Sequence, residues 1–203
     1  TPKPSSAASD VYKRQKQSDV RLADFHAFEQ GGTLTLPADV RIFGPRPHGD
    51  DHPVSRNLEP EYITAQGGTA YVTLQEANAV AAVDIATARV TSILPLGFKD
   101  LGVAGQGIDP SDKDGKASIR TVAGLYGMYQ PDGIASYQAA GTTYLVTANE
   151  GDSRAWGSYT EDVRVKSLAK DGYGPVCASS PLSKLTGDND LGRLKVTREL
   201  GYN

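Results

Sequence analysis

The fold is decided by the phrase Gly68-Thr69-Ala70-Tyr71-Val72-Thr73-Leu74-Gln75-Glu76-Ala77-Asn78, which recurs as Gly141-Thr142-Thr143-Tyr144-Leu145-Val146-Thr147-Ala148-Asn149-Glu150-Gly151-Asp152. Each copy follows a short motif of Pro, an acid, any residue and Ile. These motifs are Pro60-Glu61-Tyr62-Ile63 and Pro131-Asp132-Gly133-Ile134. A duplicated unit rich in Tyr, Val and Thr indicates a repeat architecture built from strands.

The first copy lies among four β-prone segments. Residues 69–74 alternate between two faces, and further β-prone runs lie at 62–64, 80–84 and 89–94, separated by short turn sequences. Period-two alternation and β-branched residues favour strands over a helix. The spacing predicts one four-stranded antiparallel sheet over residues 59–96, about the forty residues of a β-propeller blade.

The second copy predicts the start of an equivalent sheet at Pro131. In this alignment Tyr144 corresponds to Tyr71, and Asp132 corresponds to Glu61. A Gly/Asp-rich insertion separates the two units, and residues 159–170 have a weak apolar side that would suit a helix. We therefore expect an all-β chain: an incomplete β-propeller of four-stranded antiparallel blades with a Gly/Asp-rich insertion.

Composition limits the classes of partner. The 203 residues carry a formal net charge of −3, which gives no electrostatic case for nucleic acid. No run of about 18 apolar residues exists, so we expect no transmembrane segment. Cys177 is the single cysteine and can form no internal disulfide.

The first fifteen residues are rich in Ser, Ala and Lys and lack an apolar period. Residues 6–15 resemble translated sequencing-adapter sequence, so we expect residues 1–15 to be a non-native or disordered stretch. A natural disordered terminus is the alternative. Residues 16–203 are then expected to form a partial propeller domain.

Several longer phrases resemble one known family. They are Leu58-Glu59-Pro60-Glu61-Tyr62-Ile63, Ala70-Tyr71-Val72-Thr73-Leu74-Gln75-Glu76-Ala77-Asn78-Ala79-Val80, Asp109-Pro110-Ser111-Asp112-Lys113-Asp114-Gly115, Gly127-Met128-Tyr129-Gln130-Pro131-Asp132, Val146-Thr147-Ala148-Asn149-Glu150-Gly151-Asp152 and Leu191-Gly192-Arg193-Leu194-Lys195-Val196. Together they resemble the bacterial choice-of-anchor I proteins, relatives of the mesenchyme-specific cell-surface glycoproteins of sea urchins. The resemblance covers about residues 19–197.

This resemblance implies a β-propeller of the tryptophan-aspartate and YVTN-like superfamily. It also implies an extracellular or cell-surface location, an extracellular ligand of unknown identity, and an anchor in a C-terminal region beyond this chain. Some relatives carry the name alkaline phosphatase, but no catalytic motif of theirs maps onto these residues.

The loop at residues 109–115 has the spacing of a cation site. Asp109 precedes Asp112 and Asp114, which stand at alternate positions ahead of Gly115, as oxygen ligands do in calcium loops. The complete EF-hand pattern is absent, and Asp and Gly also favour solvated turns for backbone reasons alone. Calcium binding and a plain turn are therefore both open.

The repeat supplies a second set of candidates. Glu61 and Asp132 begin equivalent strands that would ring a propeller funnel, where carboxylates suit a cation or a basic ligand. Capping of a neighbouring turn is the alternative. The loops after the repeated strands add further binding candidates, namely Glu76, Asn149, Glu150 and Asp152.

Catalytic motifs are weak. Ser153 and Arg154 would suit a phosphatase nucleophile and clamp, yet no His lies nearby in sequence as a base. His48 and His52 could ligate zinc, but the surrounding Gly and Pro favour a solvated loop. The leading expectation is a non-catalytic binding or scaffold module, with calcium as the candidate stabilising ion. A metal-dependent phosphoester hydrolase and a purely structural surface protein are the alternatives.

Overall fold

A computed structural model describes residues 16–43 and 53–201. The predictions for residues 1–15 and for the His48 and His52 pair lie outside these described residues.

The described chain is all-β, as the repeat predicted. Its strands are β1 (Pro60–Gln66), β2 (Thr69–Leu74), β3 (Ala79–Asp84), β4 (Arg89–Pro95), β5 (Phe98–Asp100), β6 (Tyr126–Met128), β7 (Pro131–Ala139), β8 (Thr142–Asn149), β9 (Ala155–Trp156), β10 (Tyr159–Thr160), β11 (Asp162–Arg164) and β12 (Lys195–Thr197). The helices of the described residues are single 3-10 turns at Gln17–Asp19, His26–Phe28, Val54–Arg56 and Val165–Ser167.

Residues 159–170, whose weak apolar side would suit a helix, form no α-helix. This segment instead contains β10, β11 and one 3-10 turn, and β11 pairs antiparallel with β12 near the end of the chain. Its apolar side was weak. Strand β10 pairs with the nearby β9, whereas β11 pairs with residues about thirty positions away.

The predicted four-stranded sheet is confirmed. Strands β1 to β4 form an antiparallel meander in chain order. The two central strands are the most buried, and Ala79 and Ala81 of β3 have no exposed surface. Gly67 makes the first tight turn with a φ of +60°, which a residue without Cβ adopts at little cost.

The second copy forms the hairpin β7–β8, which repeats a detail of β1–β2. Both hairpins shift register just after the opening proline, between Pro60 and Ile63 and between Pro131 and Ile134. Glu61 and Asp132 therefore occupy equivalent bulges. The strands of the described residues do not close into a barrel or propeller, so the blade interpretation stays a prediction.

The expected superposition of the two copies holds for Glu61 and Asp132 but not for Tyr71 and Tyr144. From the bulge to the turn, β1–β2 has four residue pairs and β7–β8 has six. Aligning Glu61 with Asp132 therefore places Tyr71 on Val146 rather than on Tyr144. Since the extra length is two residues on each strand, each side chain keeps its face of the sheet.

Two apolar cores hold these elements. In the first, residues before β1 cover one face of the four-stranded sheet: Phe25, Phe28, Val40 and Leu58 pack with Leu74, Ala77, Ala79, Ala81, Val90 and Ile93. In the second, the Gly/Asp-rich insertion packs with the C-terminal part of the chain through Leu101, Val122, Leu125, Val165 and Leu191. The insertion is thus a folded element that shares a core with the C-terminal part of the chain.

Asn78 joins the sheet to the second hairpin. It is only 1% exposed and adopts a φ of +51° after β2. Its side-chain oxygen accepts from the N–H groups of Tyr129 and Gln130, each at 3.0 Å, and its amide donates to the Gly97 carbonyl at 2.8 Å. One side chain therefore satisfies two backbone N–H groups just before β7 and one carbonyl just before β5.

We predict that Asn78→Ala lowers the free energy of unfolding by about 3 kcal/mol. Leaving buried backbone groups unpaired costs about 1–3 kcal/mol each, and alanine disfavours a positive φ. Urea unfolding measures the loss. Asn78→Gly keeps the backbone conformation and isolates the side-chain contribution, while the exposed Asn189→Ala should change stability by less than about 0.5 kcal/mol. Equal unfolding midpoints for Asn78→Ala and Asn189→Ala would contradict this role.

Candidate functional site: an acidic rim

The hairpin geometry brings the repeated acids to one edge. In an antiparallel hairpin the start of the first strand pairs with the end of the second, here Pro60 with Leu74 and Pro131 with Asn149. The two hairpins are neighbours, since the Thr64 and Ser136 hydroxyls lie 2.9 Å apart. The acids that flank these strand ends form what we call the acidic rim: Glu59, Glu61, Glu76, Asp132, Glu150 and Asp152.

Other acids of the rim act electrostatically on Glu61. Partial burial raises the pKa of Glu61, and the charges of Asp132, Glu150, Asp152 and Glu59 raise it further. Glu61 and Asp132 sit in bulges, which re-aim side chains beside sites. Like charges held this close favour a proton or a bound cation.

Gln75 is the polar bridge at the base of the rim. It is almost fully buried. With its amide oriented to satisfy both ends, it donates to Oε2 of Glu61 at 2.8 Å and accepts from the Asp152 N–H at 3.2 Å. The acids of β1 and of the loop after β8 are therefore tied through one side chain.

Glu76 is the most buried acid of the rim, with 7% of its surface exposed. Its Oε2 is buried and has no hydrogen-bond partner among the described residues. Desolvation raises the pKa of Glu76 to about 7, with further contributions from the charges of Glu59 and Glu61, while Arg154 acts in the opposite direction. A carboxyl group in this state can exchange a proton near neutral pH.

Arg154 forms the inner wall of the site and is 1% exposed. Its guanidinium donates to the carbonyls of Phe43 at 2.9 Å and Asn57 at 2.5 Å, and it pairs with Glu59 at 3.4 Å. The rings of Phe43 and Trp156 lie 4.5 and 4.7 Å from its central carbon. The guanidinium of Arg154 is thus held within the protein by a carboxylate, two carbonyls and two aromatic rings.

A buried ion pair contacts the backbone of both Glu76 and Arg154. Arg41 and Glu161 pair with 4% and 1% of their side chains exposed. Arg41 also donates to the backbone carbonyl of Glu76 at 2.9 Å, and the second oxygen of Glu161 accepts from the Arg154 N–H at 3.3 Å. The ion pair therefore positions both Glu76 and Arg154.

Most of the rim was predicted from the repeat. The structure brings together Glu61, Glu76, Asp132, Glu150 and Asp152, whereas the Asn149 oxygen accepts from the Thr147 hydroxyl at 2.8 Å. Glu59 was missed as a site residue, although it directly precedes the repeated Pro-acid motif. Arg41 and Glu161 were also missed, because neither lies in a motif.

The residues of the phosphatase alternative have structural partners. The Ser153 hydroxyl lies 3.0 Å from a carboxylate oxygen of Asp162. The guanidinium of Arg154 is buried against Phe43, Asn57 and Glu59. In this conformation Arg154 offers no exposed donor face to a phosphoester.

The aspartates of the 109–115 loop line one cleft of about 790 Å³ together with Arg164, Arg193 and Lys195. They engage different partners. Asp109 accepts from the Ser118 N–H at 3.0 Å, Asp114 accepts from the Lys116 N–H at 3.3 Å, and Asp112 pairs with Arg193, which lowers the pKa of Asp112. Within residues 16–43 and 53–201, no three His, Cys, Asp or Glu side chains are arranged to hold a metal ion. Calcium binding by this loop stays a prediction.

We predict that the stability of the protein falls as pH rises from about 4.5 to about 7. The ordinary pKa of Glu76 is 4.5 and its folded pKa is about 7, so the folded state binds the extra proton across this window. The penalty is complete above pH 7 and amounts to at most about 3 kcal/mol.

Urea unfolding between pH 4.5 and 8 measures this slope. Glu76→Gln replaces the carboxyl by a neutral group of the same shape and should flatten the slope, leaving the smaller contribution of Glu61, which has the same sign. Parallel pH profiles for the wild type and Glu76→Gln would show that Glu76 titrates normally.

Comparison with known protein families identifies the chain's family. The sequence model of the choice-of-anchor I domain family matches residues 6–203. No curated protein and no solved structure matches the chain. None of the helices in the described residues has the length and apolarity needed to cross a membrane.

Proposed function

This chain belongs to the choice-of-anchor I domain family, and from that premise we propose that it is a non-catalytic binding module whose ligand site is the acidic rim. Membership of the family indicates a surface-associated protein. The ligand we propose is an extracellular cation or a molecule with a cationic group.

The concentration of unpaired negative charge supports this proposal most directly. The whole sequence has 24 acidic and 21 basic residues, so its overall charge is nearly balanced. Yet in the part of the chain that the structure describes, no Lys, Arg or His pairs with Glu61, Asp132, Glu150 or Asp152. A local negative field of this kind attracts cationic ligands.

Glu29 shows how this protein uses a purely structural carboxylate. Its two oxygens accept from the N–H groups of Val54 and Ser55 at 2.8 and 3.0 Å. Although desolvation acts to raise it, the pKa of Glu29 is lowered by these bonds and by the Ser55 hydroxyl. The rim acids Glu61 and Glu76 have raised pKa values instead, which favours a binding role over a capping role.

We predict that a rim-neutralised double variant, Glu61→Gln with Asp132→Asn, binds cations at least tenfold more weakly than the wild type. Each lost charge reduces the field that attracts the ligand, and a tenfold change corresponds to about 1.4 kcal/mol. Isothermal titration with spermidine and with CaCl2 at low salt measures the affinities.

The matched control is Asp171→Asn, an exposed acid outside the rim, which should bind as the wild type does. Higher ionic strength should weaken binding, because exposed charges are screened. Equal affinities for the double variant and the control, or no binding of either cation, would refute a binding role for the rim.

Calcium stabilisation through the 109–115 loop is a separate proposal, supported by the three aspartates that line one cleft. Calcium would have to replace Arg193 as the partner of Asp112. We predict that millimolar Ca²⁺ raises the melting temperature and that Asp112→Ala abolishes the rise, because a ligand that binds only the folded state stabilises it. An equal rise in Asp112→Ala would exclude this loop.

A further inference from the structure

We propose that the acidic rim binds an organic cation, an ammonium or guanidinium group, with the buried oxygen of Glu76 as its innermost acceptor. This inference rests on the proposed function and adds the chemical class of the ligand. Two kinds of cation are distinguished in this way. An organic cation donates hydrogen bonds through its N–H groups, whereas a bare metal ion needs a converging shell of oxygens.

The arrangement of the described acids argues against a directly held metal. Calcium needs six to eight oxygens at about 2.3–2.6 Å, and magnesium needs an even tighter octahedron. The rim acids lie close enough to raise the pKa of Glu61, but no three of the described acids converge as metal ligands do.

The rim also has limited freedom to contract around an ion. Gln75 ties Glu61 to the Asp152 backbone, and the carboxylate of Asp152 accepts from the Ser153 N–H at 2.8 Å. A cation with several N–H donors suits a cluster of separate carboxylates, since each N–H can reach a different oxygen at about 2.7–2.9 Å.

The second observation is the unpaired oxygen of Glu76. A buried acceptor without a donor costs about 1–3 kcal/mol, and such groups are rare in folded proteins. Glu76 exposes only 7% of its surface. Its unpaired oxygen is buried, and the carboxyl lies near the charges of Glu59 and Glu61. An incoming N–H group would supply the donor that the described residues do not.

Arg154 shows that the surroundings already suit such a group. Its guanidinium lies against Glu59, two backbone carbonyls and two aromatic rings. The positive charge of Arg154 acts to lower the pKa of Glu76, so the guanidinium of Arg154 lies close to the proposed ligand site. Arg154 forms its ion pair with Glu59. A second cation can therefore bind the remaining rim acids, namely Glu61, Asp132, Glu150 and Asp152.

The test is isothermal titration of the 203-residue chain at pH 7 with four probes: spermidine, N-acetyl-arginine amide, a short Lys/Arg peptide, and CaCl2. We expect the organic probes to bind, and Glu76→Gln to weaken them at least tenfold. Asp171→Asn should bind as the wild type does. Urea unfolding at pH 5 should show that Glu76→Gln is folded, because its amide resembles the protonated acid.

A proton readout separates direct contact from a distant effect. Binding an N–H donor at Glu76 should release a proton near pH 7, measured as a dependence of the binding heat on the ionisation enthalpy of the buffer. Glu76→Gln should lose that dependence. If organic cations bind equally well to Glu76→Gln, the assigned acceptor is wrong.

The outcomes distinguish this inference from the proposed function. Calcium binding that depends on Glu61 and Asp132, without binding of organic probes, would overturn the inference and leave the rim as a cation site. Failure of all four probes would overturn both. Tighter binding of the peptide than of the single-group probes would indicate a basic protein partner, and equal binding would indicate a small amine; both support the proposed chemistry.

Discussion

The ion pair between Arg41 and Glu161 is the interaction on which the site depends. Removing two charges from water costs several kcal/mol per ion, so each buried side chain requires the other. The pair connects positions 120 residues apart and also reaches the Glu76 carbonyl and the Arg154 N–H. It thereby holds the N-terminal segment, the turn after β2 and the β9–β10 hairpin in one arrangement.

This framework permits the crowding of acids at the rim. Mutual repulsion among carboxylates destabilises a fold unless rigid elements hold them, and such destabilised clusters are typical of binding sites. Here the rigid elements are two neighbouring hairpins with bulges at Glu61 and Asp132. Asn78 and Gln75 connect the hairpins through buried hydrogen bonds, which hold the rim acids on one edge.

The 109–115 loop shows the opposite arrangement of charge. There Asp112 is matched by Arg193, and Asp109 and Asp114 accept from backbone N–H groups nearby. The insertion that carries the loop packs through the second core against the C-terminal part of the chain. Its acids are thus partly satisfied within the protein, whereas Glu76 has a buried oxygen that the described residues leave unpaired.

The sequence by itself determined the β1–β4 sheet, the β7–β8 hairpin and most of the rim acids. These features depend on local alternation, short turns and a repeated motif, all of which are visible within a few residues. Only the tertiary structure decided that residues 162–164 form a strand, because β11 needs β12 as its partner. It also decided the pairing of Arg41 with Glu161, of Arg154 with Glu59 and of Asp112 with Arg193. A charged side chain has no local signature of its partner when that partner is brought near only by folding, since its energy depends on burial and distance rather than on sequence spacing.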